Sequence, residues 1–178
     1  MFAIVLAALD RSGSVLPILC AMAVHELAHV VMMLACGGQV RRFTLRFADL
    51  QIAASGLGYR QELLSALAGP LVNLICGAAF CMQRPSFAAY SLMLGIYNLL
   101  PVWPLDGGRM IRCALLARLP ITQAEHISEI VSFATCAVLL LIGVFLTFFR
   151  KSGLWPLGTA AYLTVRLLML ARRTDTVQ

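Results

Sequence analysis

Between Ser14 and Gly37 the sequence runs through an apolar stretch interrupted in its middle only by His25, Glu26 and His29. A run of that length crosses a bilayer as one helix, which takes about 20 residues. Inside lipid the backbone must satisfy its own hydrogen bonds, so the helix is obligatory here. Ionisable side chains at that depth are expensive and mark functional positions. On a helix, residues four apart share a face one turn apart, so His25 and His29 can ligate a single zinc ion. Glu26 falls beside them, where it can take a proton from water at the metal. Chance would produce this HExxH pattern in roughly one such chain per thousand.

The rest of the chain supports a membrane setting. Hydrophobic residues make up 61% of it and charged residues 12%, against about 45–50% and about 25% in soluble domains. That balance excludes a soluble enzyme, a disordered chain and a nucleic-acid binder, and nucleic acid is not expected as a partner. The expected architecture is all-α, a polytopic bundle of five to six transmembrane helices in the lipid bilayer. Its spans are Ser14–Gly37, Leu63–Met82, Pro85–Leu105, Ile127–Phe149 and Leu154–Ala171. Met1–Leu9 is too short to cross and reads as an interfacial piece or the remnant of a sixth helix, not as a cleavable signal peptide. One domain is expected over residues 1–178, with a core at 14–118 and C-terminal helices at 127–171. The six cysteines lie mostly in apolar runs without a CxxC pair, which points to small buried side chains rather than disulfides.

Charge orients the bundle. If all five spans cross, Arg11, Arg84, Arg150 and Lys151 fall on one side, and the remaining basic residues, Arg41, Arg42 and Arg46 among them, on the other. Cytoplasmic loops carry the excess of Lys and Arg, so the richer side is the cytosol and the C-terminus is cytosolic. On that face, Phe43, Leu45 and Phe47 alternate with Thr44 and Arg46, and Leu50 and Ile52 flank Gln51. A period of two fits a short β-hairpin over Gln39–Ser55, although an amphipathic surface loop fits as well.

A catalytic zinc takes three protein ligands and keeps one position open. Asp10, Asp49, Glu62, Glu129, His126 and Asp175 sit at termini, in loops or at span ends. Asp106 is the best choice, at the end of Asn98-Leu99-Leu100-Pro101-Val102-Trp103-Pro104-Leu105-Asp106-Gly107-Gly108. Pro101 and Pro104 remove amide donors and break the helix. Irregular backbone at membrane depth is tolerated only when buried in protein or lining a watered cavity, as a site opening to the cytosol requires. Asn98, on the approach to that break, reads either as a donor to a developing oxyanion or as an interhelical hydrogen bond. Asn73 offers the same choice, and packing is favoured there because Gly69-Pro70 lets helices approach closely. His126 reads as a loop residue near the cytosolic face.

His25-Glu26-Leu27-Ala28-His29, Ala68-Gly69-Pro70-Leu71-Val72-Asn73 and the Asn98–Gly108 stretch together resemble the site-2 protease family of intramembrane zinc metalloproteases. The last motif is most similar to the stage IV sporulation protease (FB type) branch, which activates a sporulation sigma factor from its pro-form. The resemblance implies one zinc ion per chain held by His25, His29 and Asp106, with Glu26 as general base and Asn98 as a substrate or oxyanion contact. It also implies that the HExxH helix runs from outside to inside, in agreement with the charge count. The implied partners are a membrane-associated protein substrate, such as a pro-sigma or anti-sigma factor, and membrane regulatory proteins. That branch's further N-terminal span and nucleotide-sensing domain have no counterpart in these 178 residues.

The expected activity is therefore peptide-bond hydrolysis in or beside the cell membrane. The alternative from another class is an ion- or metal-handling transporter using the same His and Asp groups. The orientation is open to direct test. A cysteine at position 41 (Arg41→Cys) should resist an impermeant maleimide in intact cells and react after permeabilisation; the reverse pattern would invert the topology.

Overall fold

The computed structural model describes residues 13–46, 49–55, 57–149 and 155–175, so the expectation for Met1–Leu9 lies outside the described residues. In chain order these form α1 (Val15–Ala35), β1 (Gln39–Arg46), β2 (Asp49–Ser55), α2 (Tyr59–Ala79), α3 (Pro85–Asn98), α4 (Asp106–Leu116), α5 (Ile121–Phe148) and α6 (Trp155–Asp175). The chain divides into two compact units, Met1–Leu99 and Leu100–Gln178.

In the first unit α1 packs on α2 and α3, which also pack on each other. The buried residues of α1 are Ala21, His25, His29 and Met33, one stripe at every fourth position. Leu16, Leu27, Val31 and Leu34 are exposed on its other faces. A helix that hides histidines and displays leucines is built for an apolar surround. The helix ends at Gly37, whose φ of 81° only glycine adopts without strain; the next amide, that of Gly38, donates back to the Met33 carbonyl at 3.0 Å.

The hairpin follows. Its strands are antiparallel, with Phe43 opposite Ile52 and Leu45 opposite Leu50, and the register shifts between Val40 and Arg42. At the start of α2, the Gly58 amide donates to Gln61 Oε1 at 2.8 Å, and Gln61 Nε2 donates to the Cys36 carbonyl at 3.1 Å. One side chain thus caps α2 and ties it to the end of α1. The buried residues of α2 are small or polar: Ser65, Ala66, Ala68, Gly69, Pro70, Asn73 and Gly77. Small residues allow helices to approach closely where dispersion rather than water expulsion holds them together. A Cβ at Gly77 would overlap Leu92, and one at Gly95 would lie 3.0 Å from the Pro70 carbonyl.

In the second unit α5 packs on α4 and on α6. Its buried residues are Ala124, Ser128, Ser132, Cys136 and Gly143, while Ile130, Phe133, Leu141, Phe145 and Phe148 are exposed. In water each such exposed side chain would forfeit about 1.5–3 kcal/mol of burial; lipid removes that penalty.

Among the described residues, three helices are long and apolar enough to cross a membrane: Val15–Ala35, Tyr59–Ala79 and Ile121–Phe148. They correspond to the first, second and fourth expected spans. The third expected span, Pro85–Leu105, is a 14-residue helix ending at Asn98, about 21 Å long at 1.5 Å per residue against a hydrocarbon core of about 30 Å. Pro101 and Pro104 keep the helix from continuing, and Asp106 begins a new helix instead of closing the old one. The fifth, α6, is 21 residues long, but Pro156, Gly158, Arg166 and Arg172 reduce its hydropathy. His126 was expected in a loop; it lies exposed near the start of α5, because the helix begins at Ile121. The close packing of α2 on α3 predicts that Gly77→Val destabilises the protein in detergent by on the order of 1–3 kcal/mol through overpacking, read as a lower thermal midpoint.

Candidate metal centre

Both histidines of α1 are buried, His25 at 5% and His29 at 8% exposure. Their rings meet edge to face with centroids 4.6 Å apart, and the two Nε2 atoms are 3.1 Å apart. Helix α2 builds the wall against them. The Ser65 carbonyl accepts a hydrogen bond from His29 Nδ1 at 2.6 Å, and Ser65 Oγ donates to the His29 carbonyl at 3.4 Å. With its hydrogen on Nδ1, His29 presents the lone pair of Nε2, the atom a metal would take. Asn73, with no exposed surface, stands with its side-chain amide 3.2 Å from His25 Nδ1. Its part in this cluster exceeds the packing role expected for it. The signal for more was a polar side chain in an apolar span, four residues beyond Gly69 and eight beyond Ser65 on the same face.

Gly69 makes room for the rings. A Cβ there would overlap His29 Nε2 and would lie 2.6 Å from His29 Cε1 and 2.9 Å from His25 Cε1. Only a residue without a side chain leaves this space clear, and the space lies against Nε2 and Cε1, the edges that a bound cation would approach. Glu26 follows His25 on α1 and is half-buried. Asn98 ends α3 with Nδ2 donating to the Leu94 carbonyl at 3.0 Å. That bond lies within its own helix and is not the interhelical one, and it uses one of the amide's two N–H groups.

The second unit positions the carboxylate. Leu105 is extended and caps α4, and Asp106 occupies the first turn, where the helix dipole favours a negative charge. Asp106 is 7% exposed, with Arg109 Nη1 3.4 Å from its Oδ1. The preceding loop is pinned from several directions. The Trp103 amide donates to Ser132 Oγ at 3.1 Å, and Ser132 Oγ donates to the Ser128 carbonyl at 2.8 Å. The Arg112 guanidinium lies 5.7 Å from the centre of the Trp103 ring and pairs with Glu125 at 2.9 Å. Gly108 touches the loop so closely that a Cβ would come within 2.5 Å of the Trp103 nitrogen. The cis Trp103–Pro104 bond completes the turn.

Among the described residues, the His25 and His29 imidazoles of the first unit and the Asp106 carboxylate of the second are each buried, and each is a group of the kind that ligates a metal ion. Two imidazoles and a carboxylate are the donor set of a catalytic zinc. Of the other candidates, Glu129 and His126 are exposed, and Asp10 lies outside the described residues.

Comparison with known proteins agrees with this chemistry. The family described as Peptidase family M50 matches residues 83–142. The chain is 28% identical over 138 residues to stage IV sporulation protein FB of Bacillus subtilis, covering 70% of this chain and 47% of that protein. It is 26% identical over 133 residues to a zinc metalloprotease of Methanocaldococcus jannaschii, covering 67% and 39%. It therefore spans less than half the length of these curated relatives. The solved site-2 protease from Methanocaldococcus jannaschii shares the fold, with a TM-score of 0.68 at 19% identity over 94% of this chain and 83% of that one.

The clearance at Gly69 generates a prediction. Gly69→Ala should drive a methyl group into both imidazoles and weaken zinc retention in detergent by roughly tenfold or more, about 1.4 kcal/mol, measured by competition with a chelator.

Proposed function

We propose that the chain is a member of Peptidase family M50 and an intramembrane zinc metalloprotease that hydrolyses a peptide bond in or next to the membrane segment of a protein substrate. The observation that carries this reading is the buried stripe of α1, where two histidines one turn apart bring their Nε2 atoms within 3.1 Å in a helix of membrane-crossing length. His25, His29 and Asp106 would hold one zinc ion. When bound, the ion supplies Lewis acidity, polarising a carbonyl and acidifying water.

The chain's own groups do the rest. Glu26 takes the proton of the attacking water on its carboxylate and later delivers it to the leaving amine nitrogen. The Asn98 amide donates its second N–H to the carbonyl oxygen as charge develops there. A helical substrate hides its amides, so the scissile segment unwinds first, and an edge of the β1–β2 hairpin offers a place to hold it extended. Both units act together as one protease domain in this reading. Helices α3 and α6 complete its membrane part beside the three long spans, giving five helices in the bilayer. The active site opens toward the cytosol and the C-terminus is cytosolic, a reading that the excess of basic residues on that side supports. The substrate is a membrane-associated pro-sigma or anti-sigma factor, in keeping with the sporulation relative, and membrane regulatory proteins control access to the site.

Co-expression with candidate substrates tests the reading. Glu26→Gln should retain zinc and lose cleavage by at least about 100-fold, the usual contribution of a general base. Asp106→Ala should lose both cleavage and zinc. An ion carrier would instead lose flux in these variants and cleave nothing at all, and full activity of Asp106→Ala would place the third ligand elsewhere.

A further inference from the structure

The two imidazoles are held from α2 in different ways, and the difference identifies a role for Asn73. The Ser65 carbonyl can only accept, so it fixes the His29 hydrogen on Nδ1. The neighbour of His25 Nδ1 is an amide that can either donate or accept. With Asn73 Nδ2 at 3.2 Å from His25 Nδ1, the amide donates and His25 carries its hydrogen on Nε2. That N–H then points at His29 Nε2, 3.1 Å away. The two rings bond to each other through the nitrogens a metal would need.

In this arrangement Asn73 Oδ1 is fully buried and has no hydrogen-bond partner among the described residues. A buried carbonyl oxygen without a donor is costly and calls for an explanation. The two ends of an amide are nearly the same in shape, so a half-turn about Cβ–Cγ exchanges them at little steric cost. After that turn Oδ1 faces His25 Nδ1 and accepts its N–H. His25 then presents the lone pair of Nε2 beside that of His29. Metal-binding histidines are commonly oriented in this way, by an acceptor on the ring nitrogen away from the metal.

Building on the zinc reading above, we propose that Asn73 is a positioning residue that selects the His25 tautomer: its Oδ1 accepts the Nδ1 hydrogen, which leaves the Nε2 lone pair for zinc. Gly69, one turn earlier on the same face of α2, keeps the space against both rings clear. Asn73 itself touches no reacting atom in this scheme.

The test uses the full chain in detergent, with zinc as the probe. Asn73→Leu removes both hydrogen-bonding functions at similar volume and should weaken zinc affinity about 10- to 100-fold. Asn73→Asp keeps only the acceptor and should restore affinity to within a few-fold of the wild type, a rescue that packing alone does not explain. Nitrogen-15 histidine spectra of the wild type, assigned with His25→Ala, provide a readout that does not depend on the folding of any position-73 variant. In the zinc-loaded protein the His25 hydrogen should sit on Nδ1. Undiminished affinity in Asn73→Leu, an Asp variant as weak as Leu, or a His25 hydrogen found on Nε2 in the zinc-loaded protein would each overturn the proposal. A wild-type chain that takes up no zinc would overturn the protease reading itself, which separates the two failures.

Discussion

Two imidazoles buried in an apolar helix are the constraint from which the first unit is built. Each ring nitrogen at that depth needs a partner, because no water competes for it. The partners come from one face of α2, where Ser65 offers a backbone carbonyl and Asn73 an amide. Bringing a helix backbone within reach of another helix's rings demands a residue with no side chain between them, and Gly69 is that residue. Hydrogen bonding, close packing and metal chemistry therefore converge on the same few atoms. A change at any of them disturbs all three.

The second unit handles a buried polar group in a different way. Its buried carboxylate lies not within a long helix but at the first turn of a short one, where the backbone amides and dipole favour negative charge. The loop that delivers it is irregular and proline-rich. It is tolerable because the Ser132 hydroxyl, the Trp103 ring and the Gly108 backbone satisfy and pack it. On α2 and α5 the usual distribution is inverted, with serine, alanine and glycine among the buried residues and leucine, isoleucine and phenylalanine among the exposed ones. Such a chain is stable where its surroundings are as apolar as its surface.

Much of this was legible in the order of residues. The spacing of His25 and His29, the apolar length of α1, α2 and α5, and the break at Pro101 and Pro104 are local properties, set by helical periodicity and by proline's missing amide. The limits of the third and fifth expected spans were harder to read. An apolar run continues past Asn98 although the helix does not, and α6 mixes apolar residues with Pro156, Gly158 and Arg166. The contact of Asn73 is hard to read for a different reason. Its sequence neighbourhood advertises packing, and the amide's partner lies 48 positions away, on another helix.

What the sequence determined by itself is the chemistry available and the solvent it must work in: donors at fixed intervals, in helices that only lipid would leave exposed. What the tertiary structure decided is which nitrogen of each histidine faces which partner, that Gly69 rather than any other small residue stands against the rings, and that Asp106 opens a helix instead of ending one. These depend on contacts between segments far apart in the chain. Periodicity specifies the face a side chain occupies, but only packing specifies what that face meets.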